Sequence, residues 1–183
     1  MWQQAPQTSP ANPSATIRPA RDDDAAALAK FAARTFRETF EADNTAEDMA
    51  LYLAANYSPE RQREEIRDPG VITLLAEDGR RLAGYAQLHR GPAPDCVAGE
   101  APIEIRRFYV DSDWQGRGVA QTLMVASLEA AMQRGTRTVW LSVWERNLRA
   151  QAFYRKCGFQ DCGAKEFLLG RDRQTDRVMV RAL

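Results

Sequence analysis

The stretch FYVDSDWQGRGVA, Phe108 to Ala120, runs an apolar strand into a short polar turn and places two glycines where a helix begins. Glycine inside a helix costs roughly 1 kcal/mol relative to alanine, so its use there points to a positive φ or a close backbone approach. A strand feeding a helix through QGRGVA leaves the first helical amides without intrahelical partners. Those N–H groups, with the positive end of the helix dipole, attract an anion such as a phosphate. Gly116 and Gly118 remove the side chains that would block its approach, and Arg117 adds charge at the rim. The alternative is a plain tight strand-to-helix turn. A P-loop would need a GK[ST] ending, which is missing, and a dinucleotide fingerprint would need a third glycine where position 121 is Gln.

Outward from this turn, apolar periodicity alternates between two kinds. Residues 15–21 read as a first strand. Residues 22–40 carry Leu28, Phe31, Ala32, Thr35 and Phe36 at helical spacing, with Asp22 as the expected cap. A second helix opens at Thr45 with Asp48 three residues on, and a third at Ser58–Pro59. VITLLAE and RLAGYAQLH flank Asp78–Gly79, a hairpin signal. Residues 90–102 are a Gly- and Pro-rich loop, and IEIRRFYVD is a strand. After the glycines comes a helix lined by Val119, Leu123, Met124, Leu128, Ala131 and Met132 and ended by Gly135. A strand over 136–145, a helix stopped by Gly158, and strands over 164–170 and 176–183 joined by a turn around RDRQT complete the chain. This order predicts an α/β domain with a mixed sheet.

The totals exclude several classes. A length of 183 residues favours one domain, read as 16–183 behind a polar tail over 1–15 that lacks the apolar core of a signal peptide. Lys plus Arg and Asp plus Glu are equal at 25 each, which gives no reason to expect nucleic acid or an anionic membrane as partner. The single histidine, His89, rules out multi-histidine metal sites, so no metal is expected; it reads as a surface residue. Cys96, Cys157 and Cys162 are an odd number without a CxxC pair, as in a reducing cytoplasm, and predict no disulfide framework. No apolar run has the length of a membrane span.

QGRGVA resembles the Gln/Arg-x-x-Gly-x-Gly/Ala signature of the GCN5-related N-acetyltransferase (GNAT) superfamily. NLRAQAFYRKCGF, residues 147–159, resembles that superfamily's second signature, and the two stand in the right order with one helix and one strand between them. TFRETF, EDMALYL, WLSVWERN and QTDRVM extend the resemblance to PaiA-type polyamine N-acetyltransferases along nearly the whole chain after residue 15, with the loop 91–102 as the main departure. The resemblance implies a GNAT fold: a mixed central sheet of about seven strands, whose fourth and fifth strands are parallel and splayed, flanked by helices. It implies an acyltransferase that moves an acetyl group from acetyl-CoA to a primary amine by direct attack in a ternary complex. A small cationic amine such as a polyamine is the expected partner, and a homodimer is left open.

The family's functional positions fall on particular residues of this chain. The pantetheine arm would meet the backbone of Phe108, Tyr109 and Val110 in the manner of an added strand. The diphosphate would sit on amides from Gln115 through Gly116, Arg117, Gly118 and Val119 to Ala120. Gln115 would hold the turn or a phosphate oxygen, Asn147 would cap the next helix and reach the arm, and Lys156 would reach the phosphates. Tyr154 is the expected proton donor to the departing thiolate; a phenol of pKa near ~10 is suited to that role. Its alternative is a core tyrosine beside Phe153. Glu104 is the candidate base, acting through water, with an arginine-paired strand residue as its alternative. For the substrate the expectation is Glu38 and Glu41, from the acid-rich 38–48 segment, and Trp144. The competing functions are acetylation of protein N-termini, lysines or an antibiotic, and a catalytically silent acetyl-CoA sensor, for which Tyr154 would have no use.

Overall fold

Side-chain caps set where the helices start. In the computed structural model, which describes residues 15–183, α1 spans Ala25–Phe40, α2 Ala46–Asn56, α3 Pro59–Arg67, α4 Val119–Gln133 and α5 Leu148–Lys156. Thr45 Oγ1 accepts from the Asp48 N–H at 3.1 Å and opens α2; Ser58 Oγ accepts from the Arg61 N–H at 3.1 Å and opens α3. Asp22 does not cap α1. Residues Asp22–Asp24 make a single 3-10 turn; Asp24 takes the Arg21 N–H at 2.7 Å and the Arg18 guanidinium, and Asp22 pairs with Arg67 of α3. Arg18 and Arg67 thus claim two of the three acids. Of the expected tail, only Ala15 lies within the described residues, and it is buried against the core.

The strands are β1 Thr16–Pro19, β2 Val71–Asp78, β3 Arg81–Arg90, β4 Ile103–Val110, β5 Thr138–Trp144, β6 Gln160–Leu169 and β7 Asp172–Ala182. They form one mixed sheet in the order β1-β2-β3-β4-β5-β7-β6, antiparallel except between β4 and β5. The α/β class and the seven strands agree with the expectation. The last hairpin is longer than expected. Its turn is confined to Gly170, at φ 61°, and Arg171, so most of the RDRQT segment is strand. The Arg171 N–H donates to Asp48 of α2 at 2.7 Å, which ties that turn to the helical face.

Helices cover both sides of the sheet. Leu123, Leu128 and Val119 of α4 and Tyr154 of α5 pack on Ile103, Ile105, Val139 and Leu141. On the opposite side Leu28 and Phe36 of α1 and Met49 and Leu53 of α2 pack on Leu75, Tyr85 and Leu169. Below α3 the interior is polar: Arg107 of β4 reaches Glu65 of α3 and Gln87 of β3, and its guanidinium lies 5.0 Å from the Tyr57 ring centroid.

His89 belongs to this polar interior and not to the surface, being only 6% exposed. The strand β3 lies inside the sheet between β2 and β4, and every residue from Ala83 to His89 is buried. Burial first, then Arg106 and Arg107, push the imidazole pKa from the usual 6.5 down to about 3. Between those values the unfolded chain binds a proton that the native state refuses, so stability falls as pH falls. From pH 7 to pH 5 the loss due to His89 is at most about 2 kcal/mol. Thermal unfolding of the wild type and of His89→Gln at both pH values should show a smaller acid penalty in the variant; equal penalties would remove His89 as the cause.

Candidate active site

Parallel pairing between β4 and β5 is limited to two rungs, Ile103 with Val139 and Glu104 with Trp140. Beyond them the strands part, while β4 keeps its ladder to β3 as far as Val110 and β5 keeps its ladder to β7 as far as Trp144. The inner edges of both strands are thereby left for another backbone-like partner. A bulge helps to open them. Arg107 pairs with Gln87 and Ile105 with Leu88, which leaves Arg106 as the extra residue. Because of that insertion Ile103, Ile105, Phe108 and Val110 all join the α4 side, while Tyr109 faces the α1 side, stacked on Tyr85 at 5.7 Å.

At the wide end of the opening lies the glycine turn. Asp111 starts it: its carboxylate accepts the Asp113 N–H at 2.9 Å and Arg34 Nη2 of α1 at 2.6 Å. Burial would raise this carboxyl, but Arg34 and the Asp113 amide hold it below the usual range, so it stays charged. Gln115 Nε2 donates to the Val110 carbonyl at 3.3 Å and folds the turn back on its strand. Gly116 and Gly118 have φ of 76° and 84°, a region that disfavours side chains, and a Cβ on Gly116 would meet only open space. Gly118 is the N-cap of α4 and provides no capping side chain, and the first turn holds no acid. The first helical hydrogen bond is Thr122 N–H to Gly118 C=O, so the amides of Val119, Ala120 and Gln121 precede it and face outward. Arg117 stacks 5.4 Å over Trp114 at the exposed rim. Amides, dipole and missing side chains fit a diphosphate.

On the α4 side of the opening, Tyr154 is buried against Phe108, Phe153 and Phe159, with ring centroids 6.3, 5.6 and 6.0 Å away. Burial raises its phenol pKa, which keeps the proton on the oxygen at neutral pH. Asn147 Oδ1 accepts the Ala150 N–H at 3.1 Å and caps α5, which aims Tyr154 inward. Lys156 is exposed in the last turn of α5, at the opposite end of that helix from Asn147.

Glu104 occupies the last paired rung on the other side. It is 8% exposed, with Arg106 Nε at 3.0 Å and Lys165 Nζ at 3.7 Å. Lys165 also lies 5.1 Å over the Trp140 ring. Beside them is a residue to which the sequence had assigned no role. Asp176 of β7 is buried, accepts Ser142 Oγ of β5 at 2.9 Å, and is paired in register with Lys165. Burial pushes its carboxyl up, against the Ser142 hydrogen bond and the Lys165 charge. An acid at period two with Val178 and Val180, on an apolar strand face, was the available signal.

The acid-rich segment divides. Glu38 pairs with Arg34 at 3.0 Å, Glu47 with Arg171 at 3.3 Å, and Asp48 serves Thr45 and Arg171. Glu41 instead lines a cavity of about 390 Å³ between α1 and α2 with Arg37, Asn44 and Met49. Trp144 packs edge-on against Phe40, 6.1 Å between centroids, and carries Arg146 on its ring. Neither Glu38 nor Glu41 contacts Glu104.

The arrangement, a parallel pair of strands that parts over an uncapped, glycine-opened helix, occurs in a chain with many known relatives. The sequence profile of the Acetyltransferase (GNAT) family matches residues 28–159. An uncharacterized N-acetyltransferase of Mycobacterium tuberculosis is 38% identical over 160 residues, 87% of this chain and 98% of that protein. Another, from Lactobacillus delbrueckii subsp. lactis, is 33% identical over 149 residues, 81% and 86% of the two chains. The PaiA N-acetyltransferase of Thermoplasma acidophilum, solved in complex with coenzyme A, superposes with a TM-score of 0.75 at 19% identity, over 92% of this chain and 99% of that one. The chain belongs to the GNAT acetyltransferase family and is an N-acetyltransferase.

Proposed function

We propose that the protein transfers an acetyl group from acetyl-CoA to a primary amine of a small cationic molecule, with polyamines as the first candidates. The observation that carries this reading is the opening between β4 and β5. It has Glu104 at one end and, at the other, the outward-facing α4 amides beyond Val110, which lies about 20 Å along β4 from Glu104 at ~3.3 Å per strand residue. Bound acetyl-CoA would supply an activated thioester. The amides of Val119, Ala120 and Gln121 would hold its phosphates, and the freed edge of Phe108 to Val110 would pair with its arm. The Val110 N–H region would receive the developing charge on the carbonyl oxygen.

Glu104 and Tyr154 flank the opening from opposite faces, which separates the two proton tasks. On the α1 side Glu104, through water, takes the proton of the amine, and the ion pairs with Arg106 and Lys165 orient its carboxylate. On the α4 side Tyr154, held protonated by burial, donates to the leaving sulfur. Asp176 beside Lys165, and Glu41 in the α1–α2 cavity, offer carboxylates to a second ammonium of the acceptor, and the Trp144 and Phe40 rings offer apolar walls.

The test is thiol release from acetyl-CoA with a panel of spermidine, spermine, monoamines and amino-terminal peptides. Turnover with di- and polyamines is expected. Binding of acetyl-CoA without turnover on any amine would favour the sensor instead. Tyr154→Phe should lower kcat by about 100-fold or more and leave acetyl-CoA affinity intact, because the hydroxyl acts on the leaving group and not on the arm. A wild-type rate would take Tyr154 out of the mechanism.

A further inference from the structure

The loop between β3 and β4, residues 91–102, crosses the sheet on the Glu104 side and is strapped down at both its middle and its end. Val97 is buried with Trp140 and Val178. The Ala101 carbonyl accepts Thr136 Oγ1 at 2.8 Å, and a Cβ on Gly99 would collide with Thr138 Oγ1 at 2.3 Å. In the middle of the loop Cys96 Sγ meets Cys162 Sγ of β6 at 3.2 Å, although the two lie 66 positions apart. Both are free thiols. Two features of β6 produce the contact. Asp161 pairs with Met179 and Gly163 with Val178, so Cys162 is the bulged residue that no partner opposes. Gly163 then gives Cys96 its place: any Cβ there would come within 2.9 Å of Cys96 Sγ.

We propose that Cys96 and Cys162 form a reversible disulfide, a modification site that clamps the β3–β4 loop to β6 beside the acceptor side of the active site. The oxidant class is a low-molecular-weight disulfide, RSSR. The Cys96 thiolate attacks one sulfur of RSSR, its S–S bond breaks, and one RSH leaves. The Cys162 thiolate then attacks the Cys96 sulfur of the mixed disulfide and a second RSH leaves. Two thiol protons depart with the two RSH, RSSR is reduced by two electrons, and excess thiol reverses the sequence. Burial and the neighbouring Cys96 sulfur push the Cys162 thiol up; the same exchange balances with the attacking and resolving roles reversed. Cys157 takes no part; it ends α5, away from the pair. Such a pair, in a protein otherwise without disulfides, is of the transient, redox-responsive kind.

The loop joins the site through Trp140, which packs on Val97 on one side and carries Lys165, the partner of Glu104, on its ring. That coupling rests on the acetyl-transfer reading; the disulfide does not.

The experiment incubates the reduced full chain in glutathione mixtures of rising oxidised fraction, alkylates it, and maps peptides by mass spectrometry. The expected product has lost two hydrogens, links Cys96 to Cys162 and leaves Cys157 alkylated. Cys96→Ser and Cys162→Ser each abolish the link and Cys157→Ser keeps it. The oxidised chain should melt higher by on the order of 10 °C, because the bridge closes a long loop. Alkylation of both cysteines at every ratio, or separate glutathione adducts on each, would overturn the proposal. Oxidation should also change the acceptor KM by on the order of 3-fold or more with the acetyl-CoA KM unchanged. A linked chain with the same acceptor KM would overturn the coupling alone, and an absence of any acetylation would leave the peptide map to decide the disulfide.

Discussion

Gly118→Asp is expected to weaken acetyl-CoA binding by about 100-fold or more, a loss of ~2.7 kcal/mol or greater, while leaving the fold intact. The position is the uncapped start of α4, with φ 84°. Aspartate tolerates a left-handed conformation better than most residues, and it is a good N-cap. Its carboxylate would accept the very amides proposed to hold the diphosphate and would repel the phosphates as well. Helix stability should therefore hold or rise as ligand affinity falls, an opposition that no simple misfolding produces. Gly118→Asn separates the two causes, since it occupies the amides without adding charge, and it should fall between wild type and Gly118→Asp. Calorimetric titration with acetyl-CoA and a melting curve for each variant decide the matter. Unchanged affinity in Gly118→Asp would place the phosphates elsewhere.

Arg107→Met should destabilise the native state by about 3–5 kcal/mol. Arg107 lies beneath α3, almost without solvent exposure, and satisfies the equally buried Glu65. Without it the Glu65 carboxylate would remain in the interior with only the partly exposed Arg61, at 3.2 Å, for countercharge. The hydrogen bond to Gln87 and the contact with the Tyr57 face are lost in the same step. A second change, Glu65→Leu, removes the stranded charge, so the double variant should recover a large part of the loss. Chemical denaturation of the two single variants and the double variant measures it. Additive losses in the double variant would mean that the pair does not act as a unit.

Much of the fold was legible because its determinants are local. Helix caps at Thr45 and Ser58 act within three residues of themselves. The hairpin at Gly79, the glycines before α4 and the alternation of the strands are likewise short-range, and every expected element is present, with bounds that shift most in the β6–β7 hairpin. The errors came where a distant partner intervened. Asp22 looked like a cap until Arg67, forty-five residues away, took it. His89 looked like a surface residue because nothing in its own strand shows how deeply the finished sheet buries it. Asp176 and Lys165 come together only when β6 pairs with β7.

The order of strands and helices, the positive-φ turn before α4 and the placement of Tyr154 on an apolar helix face were written in neighbours a few residues apart, where backbone sterics and periodicity act directly, and the family was legible through the resemblance of two signatures. The parting of β4 from β5 after a single pair of rungs, the buried Arg107–Glu65 contact, the Asp176–Ser142–Lys165 group and the meeting of Cys96 with Cys162 were settled only by packing. Each depends on which side chains the sheet order brings within a few ångströms of one another, and residue spacing along a chain carries no record of that distance.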